Sequence, residues 1–262
     1  MKFNNRNITI GKNVTIGKNV KIGDDTIIYD NVSIGDNTII CNNCVLGEPL
    51  NNYYYNEEYV NPPLVIGANS LIRSHSIFYA GSVFGDNLQT GHRVMVREHT
   101  KAGSHCSFGS STDIQGECVI GNYVRLHSLV NIGQGSEIGD YVFISPYTVL
   151  TNDPTPPSDT IAGVKVGNYS QITASCVMLP GAEVGEHCMV AAHSTVGGKF
   201  EDYSFIGGSP AKRLCDIRKA PIFNDITKKR QYPWPYNFSR NMPWDGLDYD
   251  EWLEEKEHTK VI

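Results

Sequence analysis

Ile10-Gly-Lys-Asn-Val-Thr-Ile16-Gly-Lys-Asn-Val-Lys-Ile22-Gly-Asp-Asp-Thr-Ile-Ile28 repeats itself every six residues. The same step continues through Ile34, Ile40 and Leu46, then from Ile66 to Leu150, and again from Val166 to Val196. Each slot holds a large apolar residue almost without exception, a Gly often follows it, and a small or β-branched residue lies two positions before it, as at Val14, Thr26, Ser82 and Ala182. A period of six matches neither the 3.6 of an amphipathic helix nor the 2 of a lone strand face. It fits short strands joined by tight corners, three sides to a turn of eighteen residues, with parallel strands stacking at about 4.8 Å. The chain is therefore read as an all-β solenoid. The slot residues fill a narrow interior, and many of the 25 Gly mark corners.

Composition narrows the setting. Of 262 residues 19% are charged, and the net charge of −6 offers no basic field for a nucleic-acid backbone. No apolar run is long enough to span a membrane, and Met1 to Gly11 lacks a signal-peptide layout. The odd count of seven Cys, in a chain too large to need disulfide staples, points to a reducing cytoplasm. Cys44, Cys106, Cys118, Cys176 and Cys188 all occupy the small slot and read as core filler. Cys41-Asn-Asn-Cys44 invites a metal reading, but no second pair completes a site, and no metal is expected.

The histidines sort on the same grid. Three residues after the large slot stand Asn13, Asn19, Asp25, Asn31, Asn37, Asn69 and Asn87, the residue types of a left-handed corner. His75, His99, His105, His187 and His193 share that position and read as corner residues. His92 and His127 do not. Two segments also break the register, 48–63 and 151–163, and loops on a rigid scaffold often carry function.

The repeat resembles that of the hexapeptide-repeat acyltransferases over residues 7 to 214, whose fold is a left-handed parallel β-helix. The left hand follows from the resemblance, because the general crossover rule favours the right hand. Gln89-Thr-Gly-His-Arg-Val-Met-Val-Arg-Glu98 and Leu150-Thr-Asn-Asp-Pro154 are similar to stretches of the nucleotide-sugar N-acyltransferases in that superfamily. The resemblance implies acyl transfer, with acetyl-CoA or another acyl-CoA as co-substrate, to the amine of a nucleotide-linked amino deoxysugar. It also implies a homotrimer with sites between subunits, the two loops reaching a neighbour. His92 is then the candidate base, with Glu98 as its carboxylate, or the two hydrogen-bond a sugar. The departing CoA thiolate is the alternative proton acceptor.

Ser74, eighteen residues from His92, and Asn152 and Asp153 are candidate sugar contacts; Arg73 and Arg97 are candidates for the diphosphate. Small residues Ala174, Ser175, Ala191 and Ala192 would admit a pantetheine arm, and Lys212 and Arg213 would face CoA phosphates. The loop following Asp153 continues Thr-Pro-Pro-Ser and departs from the family's usual pattern, which leaves the sugar open. Three other readings stand beside this one. A sugar O-acetyltransferase would need the same base. A γ-type carbonic anhydrase would share the solenoid, but its closely spaced His pair is missing. A purely structural solenoid lacks its regular Thr ladders here.

Residues 1–214 make the expected β-helix domain. Residues 215–262 form an aromatic-rich extension with Tyr232, Trp234, Tyr236, Phe238, Trp244 and Trp252, mostly irregular, with a short helix over Asp248 to Glu257, expected to cover an end or a side of the solenoid.

Overall fold

The computed structural model describes residues 3–220 and Glu254. Strands of mostly two residues stack into three parallel sheets, the faces of a triangular coil. The first face runs from Thr9–Ile10 to Thr195–Val196, the second from Thr15–Ile16 to Lys199–Phe200. The third begins at Lys21–Ile22 and ends on the longer strands Ser204–Gly208 and Ala211–Asp216. Register confirms the eighteen-residue turn, with Ile10 opposite Ile28 and Phe78 opposite Val96. This is the parallel β-helix that the repeat predicts, consistent with the left hand that the resemblance implies.

Slot residues fill the interior. Phe78, Phe84 and Phe108 are fully buried and meet edge to face, with centroids 5.0 and 6.5 Å apart. All five small-slot cysteines are buried, and burial raises their thiols, Cys106 to about 12. They are core filler, not nucleophiles. Ile10 and Ile16 are 51% and 40% exposed because they belong to the first coil, with no coil beneath it among the described residues.

The corners behave as the grid requires. His75, His99, His105, His187 and His193 all have φ between 55° and 64°. Replacement by Asn, which tolerates that conformation, is expected to leave stability unchanged at His99, whereas His99→Val should cost about 1–2 kcal/mol in chemical denaturation. Equal stabilities for the two variants would contradict the corner assignment.

Three edges join the faces, each with its own character. The edge from the second face to the third carries a stack of rings. His105, Tyr123, Tyr141, Tyr169, His187 and Tyr203 lie at 4.5, 4.7, 5.3, 4.8 and 4.8 Å, and Arg218 covers the last ring at 4.0 Å. The edge from the first face to the second, the loop edge, releases both insertions: strands stop at Glu48 and Leu150 and resume at Leu64 and Lys165. The edge from the third face to the first, the histidine edge, carries His92 and His127.

The last coil opens into a hairpin, Ser204–Gly208 against Ala211–Asp216, turning at Ser209-Pro210. Among the described residues no helix is long and apolar enough to cross a membrane. The aromatic residues named above beyond 220 and most of the expected helix lie outside the described residues; Glu254 has helical backbone.

Candidate functional site

The sequence-selected residues divide between two edges that border the first face. On the histidine edge, Arg73 and Ser74 lie one coil below His92, and the Ser74 carbonyl accepts from the Arg93 N–H at 3.1 Å. His92 is exposed, and its backbone N–H donates to Ser110 Oγ at 3.1 Å. Its ring has no hydrogen-bond partner among the described residues. His127 differs: its Nδ1 accepts from the Ser128 N–H at 2.8 Å, so the neutral ring carries its proton on Nε2 and can only donate there.

Ala174, Ser175, Ala191 and Ala192 continue up the same edge, where the Ala174 carbonyl accepts from the His193 N–H at 3.0 Å. Ala174 is four coils above His92, about 19 Å at a rise of ~4.8 Å per coil. The terminal hairpin follows. Lys212 and Arg213 are exposed on it, with Arg213 Nε donating to Ser204 Oγ at 3.1 Å.

Glu98, Arg97, Asn152 and Asp153 lie on the loop edge. Within one chain, His92 and Glu98 are therefore not partners, because the strand Met95–Val96 of the first face separates them. Both Glu98 oxygens are engaged instead by Arg97, at 2.7 and 3.0 Å, so the guanidinium expected on a diphosphate already holds a carboxylate. Arg97 also lies over the Tyr79 ring at 5.7 Å. Asp153 is likewise occupied. Oδ1 accepts from Ser158 Oγ and the Thr155 N–H, and Oδ2 from the Ser158 N–H, at 2.6, 2.9 and 2.8 Å. Those bonds, the Ser158 hydroxyl foremost, hold its carboxyl below the usual carboxylate range. Asp153 thus organises the second loop, whose return is fixed by the Ala162 N–H donating to the Asn152 carbonyl at 2.7 Å.

Three of its four acceptor sites are thus taken, which leaves one on Oδ2 for a substrate N–H. Asp153→Ala is expected to make the 151–163 loop several-fold more sensitive to limited proteolysis, whereas Asp86→Ala on the opposite edge should not; equal cleavage rates would contradict this role.

The first loop is anchored by Asn61, 7% exposed. Its Nδ2 donates to the Gly47 carbonyl at 2.9 Å, and its Oδ1 accepts from Tyr59 at 2.9 Å. Tyr54 donates to Glu48 at 3.2 Å beside the edge-to-face rings of Tyr29, Tyr53 and Tyr59. Tyr79, raised first by burial and then by Glu48, faces the same region. The repeat grid gave no role to Glu48 or Tyr79.

Asp113 was also missed. It points outward from the first face, opposite Met95 on one side and Asn131 on the other. The signal was legible at a step of eighteen, since Asp113 interrupts the outward series Ile77, Met95, Asn131 and Val149 with a carboxylate.

A model of bacterial transferase hexapeptide repeats matches residues 13–48 and 117–152. Both stretches lie within the solenoid and carry the six-residue repeat that the coils display. The chain is 22% identical to the chloramphenicol acetyltransferase of Klebsiella aerogenes over 201 residues, covering 73% of this chain and 83% of the relative. It is 30% identical over 125 residues to an acyl-[acyl-carrier-protein]–UDP-N-acetylglucosamine O-acyltransferase of Helicobacter pylori (strain Shi470), covering 45% of each. The Arabidopsis UDP-N-acetylglucosamine acyltransferase structure matches with a TM-score of 0.50 at 16% identity, over 79% of this chain and 71% of that one. At that identity the structural likeness is one of fold.

Proposed function

We propose that this protein transfers an acyl group, acetyl in the first instance, from acyl-CoA to the amine of a nucleotide-linked amino deoxysugar. One observation carries the reading. Arg97, Asn152, Asp153 and both loops share one edge of the solenoid, while His92, Ser74, Arg73 and the small residues from Ala174 to Ala192 share the other, with a single face between them. A homotrimer that sets one chain's loop edge against its neighbour's histidine edge would complete each site from two chains. The track from Ala174 to His92 is comparable in length to an extended pantetheine arm. The small side chains of Ala174, Ser175, Ala191 and Ala192 at its upper end let such an arm lie close to the backbone there, and Lys212 and Arg213 lie beyond. Seven free thiols are compatible with a cytoplasmic setting.

The chemistry follows from the acceptor. A neutral amine attacks the thioester carbonyl, the carbon–sulfur bond breaks, and the amine loses one proton. His92, exposed and with an unengaged ring, is the group placed to take that proton, while a backbone N–H stabilises the oxyanion.

The Helicobacter relative is named an O-acyltransferase, which favours a sugar hydroxyl as the second reading. Product chemistry separates the two. An amide survives mildly alkaline hydroxylamine and an oxygen ester is cleaved by it, so a hydroxylamine-stable product is expected, and a labile one would replace the amine reading.

A further inference from the structure

Carboxylates near the two edges are nearly all engaged. Glu48 accepts from Tyr54, Glu98 from Arg97, Glu117 from Gln134 at 3.0 Å, and Asp153 from its own loop. Among the described residues Asp113 is the one carboxylate with a buried oxygen that lacks a partner. Its Oδ1 is buried without a hydrogen-bond partner, while Asn131 Nδ2 meets its Oδ2 at 3.4 Å and the Gln115 side chain also stabilises the ionised carboxyl. A buried acceptor without a donor is costly and uncommon, and such groups concentrate where a ligand supplies what is missing.

Its position narrows the ligand. Asp113 lies on the face between the two half-sites, one coil above Met95 and next to the loop edge. Arg97, Tyr79 and Gln115 are the other polar groups that face it. Arg97 is committed to Glu98. What Asp113 lacks is an N–H donor from outside the chain.

We infer that Asp113 is the acceptor-binding carboxylate of this enzyme, its free Oδ1 receiving an N–H of the sugar ammonium or amine that is to be acylated. This rests on the acyl-transfer reading and deepens it. It moves the role of ammonium partner from Asp153 to a residue on the flat face. A carboxylate there draws the protonated acceptor in, and one N–H bond orients the nitrogen for attack once the proton has left.

Burial raises the Asp113 carboxyl above its ordinary value of 3.8, with Arg97 opposing the shift. The sign follows: a carboxyl whose folded value is raised destabilises the folded protein wherever it is ionised in both states. The penalty is present at neutral pH and vanishes below about 3.8.

The test has two arms. Thermal unfolding of ligand-free protein at pH 7 is expected to give Asp113→Asn a Tm equal to or above that of the wild type, with the difference shrinking as the pH falls toward 4. Steady-state CoA release, with acetyl-CoA and UDP-glucosamine or dTDP- and GDP-linked 4-amino-4,6-dideoxyhexoses, is expected to show the acceptor KM of Asp113→Asn raised roughly 10- to 100-fold. The KM for acetyl-CoA should stay unchanged. A lowered Tm or a dissociated assembly would mean that the carboxylate serves a subunit contact, and would overturn the assignment. So would an unchanged acceptor KM. Failure of the wild type to turn over any acceptor, amine or hydroxyl, would end the acyl-transfer reading and take the assignment with it.

Discussion

His92→Ala is expected to lose at least about 100-fold in kcat with both substrates saturating, and to keep its KM for acetyl-CoA. The loss should be chemical and not structural. The wild-type ring makes no hydrogen bond among the described residues, and the corner is held by backbone bonds and by Ser110. No neighbour can substitute. His127 has its Nδ1 lone pair engaged by the Ser128 N–H, and His75 and His193 are corner residues at positive φ. His92→Gln, of similar reach but without a basic nitrogen, should be as slow as the alanine variant. Turnover within about fivefold of wild type in both would assign the proton to the departing thiolate and leave His92 a binding role. Matched circular dichroism and equal Tm values would keep the comparison free of folding effects.

The second large effect concerns assembly. If one site draws His92 from one chain and Asn152 from its neighbour, His92→Ala and Asn152→Ala chains should each be nearly inactive as homotrimers. Mixed by unfolding and refolding together at equal amounts, they should regain activity. A site is intact only where a chain with native His92 abuts a neighbour with native Asn152. Random assortment gives each condition a chance of one half, so about one quarter of sites should work. Residual activity equal to the mean of the two parents would place the whole site within a single chain.

Much of the fold was readable because the repeat has one rule per position. Phe78, Phe84 and Phe108 fill slots that aliphatic residues hold elsewhere, and their rings pack in the same interior. Five histidines were read correctly as corners since Asn and Asp fill the equivalent positions elsewhere. Tyr123, Tyr141, Tyr169 and Tyr203 also adopt positive φ, which local preference alone would not favour. Ring stacking along the edge offsets that cost, a tertiary effect that no six-residue window contains.

The candidate site was legible only in part. Position in the repeat placed His92 and Ser74 on one edge, because their separation of eighteen is one turn. It could not show which acids were free. Glu98 is claimed by the adjacent Arg97, and Asp153 by Ser158 five residues on, through bonds set by rotamers and loop shape, not by the repeat. Asp113 was visible as the one carboxylate in its outward series, but its partnerless oxygen emerges only when neighbouring coils are stacked.

The most direct test of acyl transfer to a nucleotide-linked amine is CoA release from acetyl-CoA across a matched panel. It would contain nucleotide-linked amino deoxysugars, the same sugars with hydroxyl in place of the amine, and chloramphenicol. Release matched one for one by an N-acetylated nucleotide sugar, and slower by at least about 100-fold with the hydroxyl analogues and chloramphenicol, is the expected result. Faster release with a hydroxyl analogue or chloramphenicol, or none with any amine, would contradict it.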